Sequence, residues 1–496
     1  MIKIQNITMK KAIIAALLVS SIAPSFAQEK VKYVEYNLPN GMHVILHEEH
    51  ATPIVAVSVM YHVGSKNENP NRTGFAHFFE HLLFEGSTNI KRGEYSELVE
   101  KNGGALNANT SQDRTYYYEL LSSNQLELGL WLESERLLHA KVEQTGVETQ
   151  REVVKEEKRQ RVDNQPYGSF MENMFKVAYK NHPYNWVPIG SMEHLNAAQE
   201  IDYINFYRTF YVPANAVLSI AGDINIEQTK VWIEKYFGSI PKGEAINLFR
   251  DFENLTDADF EAKYSVKKSA FNAADFNNPK DAKAKEVLKS SSNKVVDVPR
   301  PKGVFEPING IVKDTVYDNI QLPAVFMGYK FPKETDADFA ALELLNAVLS
   351  GSTSSRMNKN IIEKKEQAVA AFSFAFNMED PGLGIVAAIA AGGVEIPQLE
   401  ASLNAEIELI QKELISVEEF EAVRNQFENQ LVSSNSSVAG IAENLAQNYM
   451  YMGSTEMINK QMERYMSVTR EDIQRVAKKY LTQDNRIILY YLPKGN

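Results

Sequence analysis

The sequence predicts an α+β protein made of two duplicated domains, in each of which a sheet is flanked by helices. With 496 residues, of which 44% are hydrophobic and 23% charged, the chain is too long for a single hydrophobic core. Residues 34–47 and 54–63 alternate apolar and polar side chains as paired strands do, and a helical pattern follows them. This order of strand, strand and helix is typical of the opening of an α+β domain.

An internal repeat indicates that this domain is present twice. Residues 200–211 form a predicted helix before a strand at 216–221, and residues 471–480 precede the apolar strand residues 487–488 in the same order. The two patterns lie about 270 residues apart. The repeat therefore indicates that the second half of the chain copies the scaffold of the first.

Four segments are predicted along the chain. They are a signal peptide at 1–27, an N-terminal metal-binding domain at 28–245, a connecting segment at 246–300, and a C-terminal domain without the metal site at 301–496. The connecting segment is rich in Lys, Asp, Asn and Ser, so we expect an inter-domain linker or insertion that is solvated and at most partly helical. An insertion that touches a ligand is the less favoured alternative.

The first 27 residues have the pattern of a secretory signal. Lys10 and Lys11 precede an apolar run at 12–23, and the following Ser25, Phe26 and Ala27 place small residues where a signal peptidase would cut, after Ala27. A membrane anchor is the alternative, but the run is too short to cross about 30 Å of hydrocarbon at about 1.5 Å per residue. We therefore expect an exported chain.

Composition narrows the classes of partner and of metal ligand. A net charge of −12 argues against a general nucleic-acid binder, which needs a clustered basic surface. The chain has no cysteine, so any metal site must use histidine and carboxylate ligands. An exported chain of this size without cysteine favours the bacterial periplasm.

The segment from His77 to His81 reads HFFEH and is the strongest chemical signal in the chain. On a helix, residues i and i+4 share one face, so His77 and His81 can bind one Zn²⁺ while Glu80 reaches the same face as a general base. The order H-x-x-E-H is the inverzincin pattern. Thr73 is predicted to cap this helix. The alternative is a pair of structural histidines at the wet edge of a core.

The second half is predicted to lack this site. A weaker echo of the repeat pairs residues 83–88 with 348–353, at a shift of about 265 residues. In that register the three motif positions hold Leu342, Leu345 and Asn346. None of these is a usual zinc ligand.

A third metal ligand is predicted to come from another helix. Val153 and Val154 define its inward direction at 100° per residue, and Glu157 falls almost midway between them while Glu156 points away. Gln150, two turns earlier on the same face, is predicted to hydrogen-bond a ligand. The alternative is that both glutamates belong to a solvated surface.

With these residues in place, the chain resembles the pitrilysin/insulysin zinc metallopeptidases, most closely the two-domain branch of the mitochondrial processing peptidase and bacterial proteins like it. The resemblance covers nearly all of the chain after the signal. The matching stretches are His62–Ser65, Gly74–Ser87, Gly103–Ala108 with Thr110 and Ser111, His182–Tyr184 with Gly190, and Tyr211–Ala216 with Gly222 and Asp223.

The resemblance implies a zinc-dependent endopeptidase that acts on peptides or unfolded polypeptides in a closed chamber. It implies one Zn²⁺ per chain, bound by His77, His81 and Glu157, with Glu80 as the general base. Asn107 and Ala108 are implied to bind substrate, on an edge strand to which the substrate adds as a further strand. The two domains are implied to be half of a four-domain clamshell.

Two departures from the family pattern predict a partner. Gln150 stands where the family usually has a glutamate. The arginine and tyrosine that hold the substrate carbonyl in self-sufficient members would fall near Ile362 and Val369. We therefore expect a heterodimer whose second family subunit supplies this pair. A homodimer that uses Arg356 and Tyr329, and a catalytically silent scaffold subunit, are the alternatives.

Overall fold

Two mixed sheets organise the chain, one in each half. The computed structural model describes residues 30–495, so the predicted signal peptide lies outside the described residues. Within the described part, no helix is long and apolar enough to cross a membrane. The strands are β1 Val34–Asn37, β2 His43–Glu48, β3 Ile54–Tyr61, β4 Ala105–Thr110, β5 Thr115–Ser122, β6 Ala216–Gly222, β7 Gly310–Asp318, β8 Ala324–Lys330, β9 Ala368–Ala375, β10 Leu383–Ala390 and β11 Asn485–Pro493.

Helices surround both sheets. In the first half they are α1 Phe75–Leu82, α2 Glu94–Lys101, α3 Leu126–Leu138, α4 Gln144–Lys158, α5 Phe170–Ala178, α6 Met192–Ala197, α7 Glu200–Phe210 and α8 Ile226–Ile233. Three helices follow between the halves, α9 Ala245–Asn254, α10 Asp257–Tyr264 and α11 Ala282–Asn293. The second half contains α12 Phe339–Ser350, α13 Ile396–Lys412, α14 Val417–Ser434, α15 Val438–Met452, α16 Met457–Met466 and α17 Arg470–Tyr480.

The two sheets share one topology. The first has the strand order β1-β2-β6-β3-β5-β4 and the second has the order β7-β11-β8-β10-β9. The pairs β2/β6 and β7/β11 are parallel, whereas the remaining neighbours in each sheet are antiparallel. The second order is the first without β1, so the prediction of two duplicated α+β domains is confirmed.

Each half lends one helix to the sheet of the other. Buried residues of α5, such as Met174 and Phe175, share a hydrophobic cluster with Phe326 and Ile385 of the second sheet. In return, α15 lies against β2, β3 and β6 of the first sheet, where the Tyr449 ring stacks on that of His43 with centroids 3.6 Å apart. The domain boundaries predicted from the sequence therefore separate two stretches of chain, but each half still packs one helix against the sheet of the other.

The segment at 246–300 is not the solvated linker that its composition predicts. It forms most of α9, all of α10 and α11, and four of its aromatic side chains are buried in the core of the first half. The buried aromatics are Phe249, Phe260, Phe271 and Phe276. Most of its charged and amide residues are exposed, while widely spaced aromatic residues supply the inner contacts, so the average composition does not reveal the helices.

Replacing Phe260 by Ala is expected to lower the free energy of unfolding of the first half by about 3 to 5 kcal/mol, because it empties a fully buried aromatic position. Val295, which is 78% exposed, is the control, and Val295→Ala is expected to stay within about 0.5 kcal/mol. Urea unfolding followed by tryptophan fluorescence measures both, since Trp131, Trp186 and Trp232 all lie in the first half. Equal midpoints for the two variants would contradict the burial of Phe260 in the core of the first half.

Candidate metal centre

Helix α1 begins at a close contact between two glycines. Gly74, its N-terminal cap, has a φ of +93° and offers no side chain to the helix end. A Cβ on Gly190 would lie 2.4 Å from the backbone of Gly74, so a side chain there could not fit without moving the helix start. The prediction that Thr73 caps this helix is wrong. The Thr73 hydroxyl instead lies 2.8 Å from Nδ1 of His194.

The free amides of α1 are bound by a buried carboxylate, Glu68. Its two oxygens accept hydrogen bonds from the backbone nitrogens of Gly74 and Ala76 at 2.9 and 2.8 Å, and the Trp186 indole donates to it at 2.9 Å. An anion at a helix N-terminus is also favoured by the helix dipole. Burial raises the pKa of Glu68 to about 8, and these hydrogen bonds hold the rise back by favouring the ionised form. The sequence carries no local signal for this contact, since Glu68 lies outside the helix.

Aromatic packing fixes the rotation of α1. The Tyr203 ring on α7 lies 4.5 Å from the rings of both Phe75 and Phe78, measured between centroids. Phe79 stacks on Phe206 of the same helix at 5.3 Å. With this apolar face turned inward, the opposite face presents His77 and His81 to the neighbouring helix α4.

Three side chains converge between α1 and α4. Oε2 of Glu157 lies 3.4 Å from Nε2 of His77 and 3.1 Å from Nε2 of His81. Both Nε2 atoms therefore approach the same carboxylate oxygen, and the two imidazole planes are 78° apart. Donor atoms held about 2.0 to 2.1 Å from one tetrahedral ion lie about 3.3 to 3.4 Å apart. In the part of the chain that the structure describes, this is the group of side chains that could hold a metal ion.

The Glu157 carboxylate is held by a second contact. Its Oε1 lies 2.7 Å from Nη1 of Arg161, on the helical turn that continues α4. Hydrogen bonds from His77 and then from His81 lower the pKa of Glu157, despite its burial. The carboxylate therefore stays ionised and presents its other oxygen to the imidazoles.

The neighbouring glutamate points away, as its position on the helix predicts. Glu156 is exposed and binds Arg159 and Gln160 at 3.0 and 2.9 Å. The inward direction itself needs a correction, because Val154 is buried but Val153 is 44% exposed. Glu157 nevertheless lies on the inner side of α4.

Glu80 and Gln150 lie on the same two helices, α1 and α4, as the three converging side chains. Glu80 is half-buried, one turn after His77 on α1. Burial raises the pKa of Tyr117 and Tyr211, and the charge of Glu80 adds to this rise. Gln150 donates its amide to Glu85, and its buried Oε1 has no hydrogen-bond partner. A hydrogen bond from Gln150 to a metal ligand stays a prediction.

Strand β4 carries Asn107 and Ala108 at the edge of the first sheet. β4 pairs with β5 and is the last strand in the sheet order, next to α1. Asn107 is exposed, Ala108 is half-buried, and the Asn107 side chain accepts the Ala108 backbone amide at 2.8 Å. The predicted edge strand is therefore present, while substrate binding by these residues stays a prediction.

The two alternative residues in the second half, Arg356 and Tyr329, are respectively paired with a carboxylate and buried. Arg356 forms a two-pronged contact with Glu419 at 2.8 and 3.0 Å. Tyr329 is fully buried inside β8. At the positions where the family pattern expects the pair, Ile362 lies in the turn after α12, and Val369 is 55% exposed on β9.

Comparison with known proteins agrees with this arrangement. The family model described as insulinase (peptidase family M16) matches residues 43–187, and the one described as peptidase M16 inactive domain matches residues 202–427. A Helicobacter pylori protein named zinc protease PqqE is 28% identical over 484 residues, which cover 96% of this chain and 97% of that protein. The beta subunit of the Saccharomyces cerevisiae mitochondrial-processing peptidase is 27% identical over 208 residues, 42% of this chain and 45% of that subunit.

A solved structure shares the fold over almost the whole chain. The crystal structure of a protease from Helicobacter pylori superposes with a TM-score of 0.79 at 26% identity and covers 94% of this chain and 100% of that one. Two M16 family models thus match successive halves, relatives named as zinc proteases match along the length, and a protease has the same two-domain fold. The chain therefore belongs to the M16 peptidase family, in its two-domain branch.

Proposed function

We propose that this chain is the zinc-binding subunit of an endopeptidase that hydrolyses peptides or unfolded polypeptides in a closed chamber. One observation carries the proposal, namely the convergence of His77, His81 and Glu157 at the spacing of tetrahedral zinc ligands. Two imidazoles and one carboxylate form a donor set suited to one Zn²⁺ per chain and leave a position open for water. Oε2 of Glu157 is buried and faces only the two imidazole nitrogens among the described side chains, which suits a cation shared by the three groups.

The chain's own residues supply the proton transfers. When bound, zinc would act as a Lewis acid that polarises the scissile carbonyl and lowers the pKa of a water molecule. Glu80 takes the proton of the attacking water and returns it to the leaving amine, for which its place one turn from His77 is suited. The free edge of β4, with Asn107 and Ala108, pairs with the extended substrate backbone.

A second family subunit is part of this proposal. Ile362 and Val369 offer no donor to a developing oxyanion, while Arg356 and Tyr329 are engaged or buried. A donor aimed at that charge is worth about 2.7 to 4 kcal/mol of barrier. We propose that the partner supplies the arginine and tyrosine in a heterodimer, with four domains forming the clamshell.

A silent scaffold subunit is the second candidate. The family model over the second half is described as an inactive domain, which fits a chain that only supports another subunit. The convergence of the three metal-binding candidates beside Glu80 favours the enzyme, because a scaffold needs none of them. For location, we propose export to a bacterial periplasm on the basis of the signal pattern at 1–27 and the absence of cysteine.

Glu157→Gln is expected to weaken zinc binding by more than about 100-fold, since loss of a contact one shell further out already costs about 10- to 100-fold. Competition with a chromophoric chelator measures the affinity. Glu156→Gln is the matched control, since its carboxylate is one residue away and solvent-exposed. Equal affinities for the two variants would remove Glu157 from the proposed metal site.

Glu80→Gln is expected to lower kcat for cleavage of a quenched-fluorescent peptide by roughly 10²- to 10⁴-fold, the usual contribution of a general base, while zinc content stays at one per chain. Glu97→Gln, at an exposed position on α2, serves as the control. Undiminished cleavage by Glu80→Gln would exclude Glu80 as the base. Zinc binding without cleavage under any pairing of subunits would favour the scaffold.

Adding the partner subunit is expected to raise kcat by about 10²- to 10³-fold over this chain alone, the cost of a missing oxyanion donor. The measurement compares kcat for three samples. They are this chain alone, this chain mixed with the partner subunit, and this chain mixed with a partner subunit whose arginine is replaced by alanine. The alanine mixture is expected to return to the activity of the single chain. Full activity of the chain alone would contradict the heterodimer.

A further inference from the structure

The second half contains a cavity of about 220 Å³ that the proposed peptidase chemistry does not use. It lies between α12, α14, α15 and α16, beside the turn that follows β9. This volume is below the range of about 300 to 1,000 Å³ that holds drug-sized ligands, so its occupant would be small. Its lining combines carboxylates, amides and two aromatic rings.

Two residues that line this cavity carry a buried hydrogen-bond acceptor with no partner among residues 30–495. Glu334 is only 8% exposed, and its Oε2 has no hydrogen-bond partner. Oε1 of Gln461 is buried and also has none. Buried acceptors without donors are costly, since each loses its bonds to water without replacement.

The orientation of the Gln461 amide follows from its neighbours. Nδ2 of Asn448 donates to the backbone carbonyl of Asn444 at 2.8 Å, and a carbonyl can only accept. Oδ1 of Asn448 must therefore be the atom that accepts from Gln461, at 2.9 Å. This leaves the Gln461 oxygen as the unsatisfied end of that amide.

Two carboxyl groups, those of Glu334 and Glu343, line the cavity. Burial raises the pKa of Glu334 to about 7, and the charge of Glu343 adds to the rise. The cations Arg464 and Arg114 oppose it, but Arg464 donates to backbone carbonyls and Arg114 pairs with Glu443. Glu343 itself accepts the hydroxyl of Tyr465.

Aromatic faces complete the lining. The rings of Phe427 and Tyr465 stack with centroids 5.2 Å apart, and both line the cavity. A cation near an aromatic face gains electrostatic attraction, and an alkyl chain gains apolar contact. Two carboxylates, an unsatisfied amide oxygen and aromatic rings together match a positively charged donor with a short apolar body.

We propose that this cavity binds a small alkylammonium ligand, with its ammonium group between Glu334 and Gln461 and its alkyl chain against Phe427. The ligand class is a primary amine of a few carbons, such as a short alkyl diamine. An ammonium carries three donors and no acceptor, which is the complement of the lining. The site is separate from the proposed metal centre, so it stands whether or not the chain is a peptidase.

Isothermal titration calorimetry of the full chain with 1,4-diaminobutane tests the proposal. Saturable binding is expected for the unaltered protein, and 1,4-butanediol, of similar shape but uncharged, is expected to give none. Glu334→Gln and Gln461→Met are each expected to weaken diamine binding at least tenfold. Glu428→Gln, an exposed glutamate on α14, is the control and is expected to bind unchanged.

Thermal unfolding of each variant shows whether its fold is retained, and Gln461→Met, which keeps the side-chain volume, decides the matter if Glu334→Gln is unstable. Equal binding by the Glu334 and Glu428 variants would overturn the proposal. Binding of the diol as tightly as the diamine would overturn it too. Saturable binding of Ca²⁺ with none of the diamine would likewise overturn it, since a metal site would then explain the acceptors.

Discussion

The buried carboxylate of Glu68 is the contact on which the geometry of the metal centre depends. A helix of eight residues has few internal hydrogen bonds, and its first amides need acceptors from outside. Glu68 supplies both of its oxygens to them and is itself held by Trp186. Because Trp186 belongs to a later loop, the start of α1 is joined to chain more than 100 residues downstream. This anchoring holds the N-terminus of α1 in place, and the aromatic packing against α7 then sets the direction of both imidazoles.

Periodicity made the centre predictable in part. The i, i+4 spacing of His77 and His81 placed both on one face, and helical angles separated Glu157 from Glu156, since these relations are internal to one helix. Glu68 and Arg161 could not be found in this way. Glu68 acts across a turn, and Arg161 lies where α4 continues in a wider helical turn whose geometry no local pattern specifies.

The fold, like the metal centre, was predictable from the sequence only in part. Strand order in both sheets agrees with the internal repeat, because a duplicated pattern implies a duplicated topology. No sequence pattern indicates that α5 and α15 pack on the sheet of the opposite half. An amphipathic pattern shows that a helix has an apolar face but not which sheet that face will contact. The helices at 246–300 were missed because sparse buried phenylalanines were outnumbered by polar residues on the outer faces.

The positions of α12 that correspond in the internal repeat to the metal-binding candidates of α1 have structural roles instead. In α12, Leu342 and Leu345 are fully buried in the core of the second half. Asn346 donates to the carbonyl of Leu342 at 2.8 Å and accepts the hydroxyl of Ser373 on β9. The place that holds a candidate ligand in one half thus joins a helix to its sheet in the other.

The exchange of helices between the halves also bears on how the protein is made. During synthesis the first sheet emerges well before α15, so its β2, β3 and β6 face lacks its natural cover until roughly residue 452 has left the ribosome. A nascent chain in that interval exposes apolar strand surface, which invites association with other chains or capture by chaperones. A gene fragment that stops at the end of the first half would have the same defect permanently. The two similar halves thus each depend on a helix of the other to cover their sheet.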